Sequence, residues 1–280
     1  MIYFLTVNYH STNLITKLIC SIHSSQNTPF QTVIINNSPG DSTIHILKTK
    51  SVFVLEAGGN IGFGSACNLG LNWIYAQNHQ AIVWIINPDA YLMSNALEKA
   101  TIFFEAYPEL SIVGTIIYTP TGHIWFAGGR FIPQIGAIIT PDLLTDSNAA
   151  YAPCDWVSGC SLLVNLRHFR DCPQFDPAYF LYYEDFDFCR RYASLGHSIG
   201  VTKQLSVIHQ PSAITNRNMF LKVKHSTYSY LLTMEKYTNR FVLLLRLTRL
   251  TFYAFILILV KPKAAFGKLF GILLYLRRSR

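Results

Sequence analysis

Over its first 116 residues the sequence alternates short β-type apolar runs with stretches of helical periodicity. That alternation leaves little besides an α/β layer built on a central, mostly parallel sheet. The spacing predicts strands over residues 2–7, 32–35, 52–55, 81–86 and 112–116. Between the first two, Leu14, Leu18 and Ile22 recur every fourth residue beside Ile15 and Ile19, which makes that segment a helix with one apolar face. A second helix is expected over residues 64–77, and a third from an N-cap at Ser94 to about Tyr107, where Pro108 stops it. Residues 117–153 break this rhythm: glycines and prolines punctuate short apolar runs, as in hairpins or a mobile loop. A last core strand is expected over residues 161–164.

With 280 residues, half of them hydrophobic, the chain can bury one substantial core with a smaller appendage, and disorder is excluded. Met1 runs straight into an apolar strand without a basic leader, so no signal peptide is expected. The six cysteines form no CxxC pair and read as reduced, buried thiols of a cytosolic protein.

Charge divides the chain at about residue 216. Residues 1–216 carry ten Lys/Arg against fourteen acids, whereas 217–280 carry thirteen against Glu235 alone. A basic quarter calls for an anionic partner, and its apolar content selects a lipid surface over nucleic acid. The run 241–260 is long enough to span a bilayer, yet Arg246 and Arg249 would then lie well inside it. Lying in the interface is the better solution, with Leu244, Leu247 and Phe255 toward lipid and the arginines reaching phosphates. Lys261, Lys263, Lys268, Arg277, Arg278 and Arg280 add attraction to anionic headgroups. The same surface could instead serve a homodimer. The organisation expected is a catalytic unit over 1–216 and a helical, membrane-associating segment over 217–280.

Four motifs can carry chemistry. Asn87-Pro88-Asp89 follows an apolar strand, placing Asp89 at the carboxyl edge of the sheet, where it could hold Mg²⁺ or Mn²⁺ as an exposed ligand or simply make a turn. Gly58 to Gly64 is a glycine-rich loop ahead of a helix, suited to phosphate or to structure alone; Cys67 at the third glycine position argues against a dinucleotide fingerprint. Glu184, Asp185 and Asp187 lie within four residues among seven aromatics between Phe175 and Phe188. Acidic capping needs one such residue, so three beside apolar neighbours point to a general base with a tuned pKa. His209 could complete a metal shell begun by Asp89, or be a hydrogen-bonded structural histidine.

In order and spacing these motifs resemble the family-2 glycosyltransferases of GT-A fold, particularly rhamnosyltransferase-like members that build bacterial surface polysaccharides. The resemblance covers about residues 1–215 and rests on Val7-Asn8-Tyr9, Asn36-Asn37-Ser38, Asn60-Ile61-Gly62-Phe63-Gly64 with Asn68 and Gly70, and Asn87-Pro88-Asp89. Trp156-Val157-Ser158-Gly159-Cys160, Phe175-Asp176, Tyr183-Glu184-Asp185-Phe186-Asp187 and His209 complete it. Two positions depart from the pattern: Asn36 stands where members commonly have an aspartate that binds the base, and Asn87 replaces the first acid of Asp-x-Asp.

The resemblance implies a nucleotide-diphosphate sugar donor lying against Asn8, Asn36, Asn60 and Gly62. It also implies a cation on Asp89 with His209, and a sugar site shaped by Trp156 and Gly159. An acceptor hydroxyl must lose a proton as it attacks, for which Asp185 is the expected base and Glu184 the second candidate. One base and no nucleophile imply inversion. The acceptor would be a glycan or lipid-linked sugar at the cytoplasmic face of a bacterial inner membrane, with the enzyme peripheral to it. A second possibility is an inactive GT-A-like glycan-binding or scaffold subunit, against which the grouped carboxylates argue.

Overall fold

A computed structural model describes residues 1–23, 29–146, 148–210 and 218–278. In chain order the elements are β1 (Ile2–Asn8), α1 (Thr12–His23), β2 (Phe30–Asn36), β3 (Val52–Glu56), α2 (Phe63–Gln77), β4 (Ile82–Ile86), β5 (Ala90–Leu92), α3 (Ala96–Ala106) and β6 (Ile112–Tyr118). There follow β7 (Ile124–Phe126), β8 (Arg130–Ile132), β9 (Ala137–Ile139), β10 (Tyr151–Pro153), β11 (Ser161–Asn165), α4 (Glu184–Ser194) and β12 (Ile199–His209). Three long helices close the chain: α5 (Met219–Tyr237), α6 (Arg240–Ile258) and α7 (Pro262–Arg278).

The principal sheet has the order β10-β12-β6-β11-β4-β1-β2-β3, with β5 on β12 and β7 on β6. The block β3-β2-β1-β4 is parallel throughout and β6 runs parallel to β12, while β11 is inserted antiparallel between β4 and β6. Burial explains the composition of the centre. Residues 83–86 of β4 are covered on both faces, so the strand reads as a continuous apolar run and not an alternation. Its one polar atom is satisfied: Trp84 Nε1 donates to Ser161 Oγ at 2.9 Å, and Thr115 Oγ1 donates to the same oxygen.

The expected α/β class and early strands are present, with three local differences. Helix α3 begins at Ala96, and the residue before it is Asn95 at φ +60°, so Ser94 is not its cap. The loop 117–153 folds into β7, a β8–β9 hairpin and β10. The sheet does not end at residues 161–164: β12 returns through it for eleven residues and delivers His209. Its irregular register between Thr202 and Ser206 interrupts the apolar pattern from which a strand would be read. Four of the six cysteines are buried, but Cys20 is exposed and Cys172 half-buried.

Residues 211–217, where the expected boundary at 216 falls, lie outside the described residues. Beyond them α5 packs on the sheet-bearing part, with Ser229 Oγ donating to the Leu181 carbonyl at 2.9 Å and Met234 buried against Phe131 and Phe186. Helix α7 lies tightly along α5. A Cβ on Gly267 would stand 2.7 Å from the Phe220 carbonyl oxygen, and one on Gly271 2.5 Å from that of Lys224, so only glycine permits this approach. Helix α6 is 19 residues long with mean hydropathy 1.9 and little of it is buried, which makes it long and apolar enough to cross a membrane. Leu244 and Phe255 are exposed as expected, but Leu247 turns inward to pack beside Leu231, Ile272 and Tyr275.

Candidate active site

The carboxyl ends of β1, β2 and β3 converge on a polar cluster. Asn8 and Asn36 are paired residues of adjacent parallel strands, and both are buried. Asn8 Nδ2 donates to Asn36 Oδ1 at 3.0 Å, and Asn8 Oδ1 accepts from both the amide and hydroxyl of Ser11. Asn36 Nδ2 in turn donates to Glu56 Oε2 at 3.0 Å and to the Asp41 carbonyl at 2.9 Å. A second carboxylate, on Asp41, accepts from Asn8 Nδ2 at 3.3 Å. Hydrogen bonding from Thr43 is the main influence holding the Asp41 carboxyl below its ordinary range. The asparagines thus bond to one another and to two nearby carboxylates, Asp41 from the loop after β2 and Glu56 from the end of β3.

The glycine-rich loop is stitched to its surroundings. Asn37 Oδ1 accepts from Ile61 N–H, Asn60 Oδ1 accepts from Gly62 N–H and Asn37 Nδ2, and the Phe180 carbonyl accepts from Phe63 N–H. Three amides at the start of α2 are thus engaged within the protein, which favours the structural reading of this loop over a phosphate cradle. Gly62 adopts φ +88°, and a Cβ there would lie 2.4 Å from the Phe180 carbonyl oxygen.

Asp89 follows β4 on the turn into β5, and His209 ends β12. Because β5 pairs with β12 so that His209 faces Ala90, the two side chains meet: His209 Nε2 lies 3.2 Å from Asp89 Oδ1. Both are about 5 % exposed, which corrects the expectation that Asp89 is a solvent-facing ligand. The His209 Nδ1 atom is buried without a partner, and the exposed Trp125 ring packs edge-on at 5.0 Å. A buried imidazole with one orphaned nitrogen beside a carboxylate is a donor set that fits a hard divalent cation sharing its remaining positions with phosphate oxygens. Among the described residues no group of three or more acidic, histidine or cysteine side chains is placed to hold a metal ion together.

The three acids after the aromatic wall part company. Tyr182 and Tyr183 both take left-handed conformations (φ +69° and +65°), unusual for bulky residues and of the kind that clusters at working sites. They steer the chain so that α4 opens on Glu184 and Asp185. Asp185 Oδ2 accepts from Gly159 N–H at 2.8 Å and Oδ1 from Phe186 N–H at 2.8 Å. Glu184 points the other way and is buried with Oε2 unpartnered, its Cβ close to Gly64 at the start of α2. Burial, then the neighbouring Asp185, pushes the Glu184 carboxyl up to about 8. Burial also raises Asp185, opposed by the bonds from Gly159 and Phe186. Asp187 is fully buried and structural: it accepts from Arg191 at 2.7 Å, Lys236 at 2.9 Å and the Tyr237 hydroxyl at 2.8 Å.

One dipeptide joins the two halves of the site. While Gly159 N–H holds Asp185, the Cys160 carbonyl accepts from Asn87 N–H at 2.9 Å, two residues before Asp89. Trp156 forms an adjoining wall, tilted against Phe126 (4.7 Å) and edge-on to Phe186 (6.1 Å). Nothing in the sequence singles out Asp41, Glu56 or Trp125. The first two are lone acids in a loop and a strand end, and Trp125 acquires meaning only when β7 folds back beside His209.

Comparisons with known proteins bear on the family and the fold. The family model of glycosyl transferase family 2 matches residues 3–151. The N-acetylglucosaminyl-diphospho-decaprenol L-rhamnosyltransferase of Mycobacterium tuberculosis is 25 % identical over 252 residues, 80 % of this chain and 82 % of that protein. The rhamnosyltransferase WbbL of Escherichia coli is 21 % identical over 255 residues, 86 % of this chain and 96 % of its own. Among solved structures, the mannosyltransferase PcManGT of Pyrobaculum calidifontis, in complex with GDP-Man and Mn²⁺, superposes with a TM-score of 0.59 at 12 % identity, covering 100 % of this chain and 88 % of that one. With more than half of its length matched by the family model over a GT-A-like fold, the chain belongs to glycosyl transferase family 2 and is a glycosyltransferase.

Proposed function

We propose that the protein is an inverting, metal-dependent glycosyltransferase that moves a sugar, rhamnose by its relatives' names, from a nucleotide-diphosphate donor to a glycan or lipid-linked acceptor in surface polysaccharide synthesis. The observation that carries this reading is the Gly159–Cys160 dipeptide, which holds Asp185 through its leading N–H and the Asn87–Asp89 turn through its trailing carbonyl. This supports a deprotonating carboxylate and a cation-holding pair working on either side of one dipeptide, as direct displacement at an anomeric carbon needs.

In this reading Asp89 and His209 would hold Mn²⁺ or Mg²⁺, which when bound neutralises charge on the departing diphosphate. Asp41, Glu56, Asn8 and Asn36 frame the base and ribose, while Asn60 and Gly62 shape the loop beside them. Trp156 and Gly159 border the sugar. Asp185 takes the acceptor's proton: its oxygens are oriented by two amides and the residue is only half-buried. Glu184, kept protonated near neutrality by burial, limits the charge that Asp185 must share the site with. The exposed apolar stripe of α6 seats the enzyme on the cytoplasmic face of a membrane.

The test is to offer a panel of nucleotide sugars, rhamnosyl donors included, with Mn²⁺ and a lipid-linked N-acetylglucosamine acceptor, and to determine the product's anomeric configuration by NMR. Donor binding without turnover for any acceptor would favour a scaffold subunit, and a product of retained configuration would remove the single-base mechanism.

A further inference from the structure

Helices α5, α6 and α7 enclose a pocket of about 520 Å³ whose lining includes Tyr230, Arg246, Arg249, Leu250, Tyr253 and Lys268. Three cations converge there and no carboxylate lines it. Glu235, the tail's one acid, is paired with Arg278. Arg246 donates from one terminal nitrogen to the Ile135 carbonyl while its Nε is buried without a partner. Lys268 is half-buried, and burial lowers its pKa. Clustered like charges in a partly desolvated recess are unfavourable until an anion joins them.

The surroundings say what kind of anion. Arg246, Arg249, Leu250 and Tyr253 stand at i, i+3, i+4 and i+7 and so share one face of α6. Beside that face runs an exposed stripe of Phe241, Leu245, Phe252, Phe255 and Leu259, and Phe252 and Ile256 carry it into the rim of the pocket. A ligand that fits must put a strong anion on the basic face and a hydrocarbon chain along the stripe. At the inner end the Tyr230 ring lies 5.7 Å from that of Tyr183, the residue immediately before Glu184 and Asp185.

We propose that this pocket binds the phosphate or diphosphate headgroup of a lipid-linked acceptor, with its hydrocarbon chain on the α6 stripe and its sugar directed past Tyr230 and Tyr183. Naming the ligand as an acceptor rests on the glycosyl-transfer reading above; the lipid-phosphate site itself does not. The recess supplies charge-assisted hydrogen bonds to phosphate oxygens, and its position beside Tyr183 sets it apart from a general headgroup surface.

The probe is farnesyl diphosphate, titrated calorimetrically into the full chain in neutral detergent micelles with EDTA present. Binding is expected, at least tenfold tighter than for farnesol or inorganic diphosphate. It should weaken at least tenfold in the double variant Arg249→Gln/Lys268→Gln and persist in Asp89→Asn, which separates the site from the donor's diphosphate. Arg249 is exposed, so R249E alone should fold and lose binding; circular dichroism checks this. Unaltered affinity in folded R249E, equal binding of farnesol, or equal binding of inorganic diphosphate would overturn the proposal. So would competition by phosphatidylglycerol at matched concentration, which would make the recess part of an ordinary anionic-lipid surface. Because sugar transfer is not read, an enzyme inactive toward every acceptor tried would contradict the functional reading and leave this binding result standing.

Discussion

His209 Nε2 and Asp89 Oδ1 lie 3.2 Å apart, both side chains almost wholly buried, although 119 residues separate them in sequence. Since Asp89 is not the exposed group its turn suggested, the informative substitution is the isosteric Asp89→Asn. Turnover stimulated by Mn²⁺ should disappear while the melting temperature stays within a few degrees. His209→Gln should raise the Mn²⁺ needed for half-maximal rate by about 10- to 100-fold. Wild-type metal response in both variants would dismiss the pair as a metal site.

For the carboxylate pair, Asp185→Asn is expected to keep donor binding and lose about two to four orders of magnitude in kcat. Glu184→Gln preserves a neutral side chain in the same place and should lose much less. Steady-state rates and donor affinities of the two variants decide the matter, and a dead Glu184→Gln beside an active Asp185→Asn would exchange their roles.

The raised Glu184 carboxyl also makes a stability prediction. Its folded pKa, about 8, lies above its ordinary value of 4.5, so between those values the folded protein binds more proton than the unfolded chain. That contribution is fully present below pH 4.5 and is lost as pH rises through 8. Melting temperature should therefore fall across this window, and Glu184→Gln should flatten the decline. An identical slope in wild type and variant would show that Glu184 ionises as freely folded as unfolded.

Asp187, fully buried, is matched by Arg191, Lys236 and the Tyr237 hydroxyl. Lys236→Met removes a partner that reaches across from α5; since Lys236 is partly exposed and Asp187 keeps Arg191 and Tyr237, losing this charged hydrogen bond should cost about 1–3 kcal/mol. Chemical denaturation should register the loss. Asp187→Asn/Lys236→Met, which removes both charges, should recover part of it; a single variant as stable as wild type would mean that the pair does not tie α5 down.

Membrane seating is best tested without truncation, because removing α6 and α7 would uncover the face of α5 that holds Leu231. Replacing Phe252, Phe255 and Leu259 together by serine alters only exposed positions. Sedimentation with anionic vesicles should show at least tenfold weaker partitioning, since each such side chain contributes about 1.5–3 kcal/mol when buried in an apolar phase. Unchanged partitioning with loss of a dimer would assign the stripe to self-association.

Periodicity made the fold's first half legible, because strands such as β4 are covered on both faces and carry no polar interruptions. It also isolated Asp89, Glu184, Asp185 and His209, since chemistry-bearing residues stand out at strand ends and helix starts. It could not separate Asp187 from its neighbours: that residue's role is set by Lys236 and Tyr237, some fifty residues away. Asp41 and Glu56 were equally opaque, as an acid at the right point in space need not occupy the expected point in sequence. Strand β12 was hidden by its own irregularity, and Leu247 by its place beside Leu244 on the face expected to meet lipid.

The glycine seam between α5 and α7 bears on how such an enzyme would measure its substrate. Gly267 and Gly271 bring backbone against backbone, and Lys236 fastens α5 to the helix that begins at Glu184. With α6 seated in lipid as proposed, this series of contacts would couple bilayer to reaction centre through packed backbone, and the assembly would act as a gauge of fixed height. Sugars carried at one particular elevation above the membrane would reach Asp185, and a glycan one residue longer or shorter would overshoot or fall short. Selection among acceptors would then reside in rigidity far from the chemistry, without any side chain having to recognise the sugar itself.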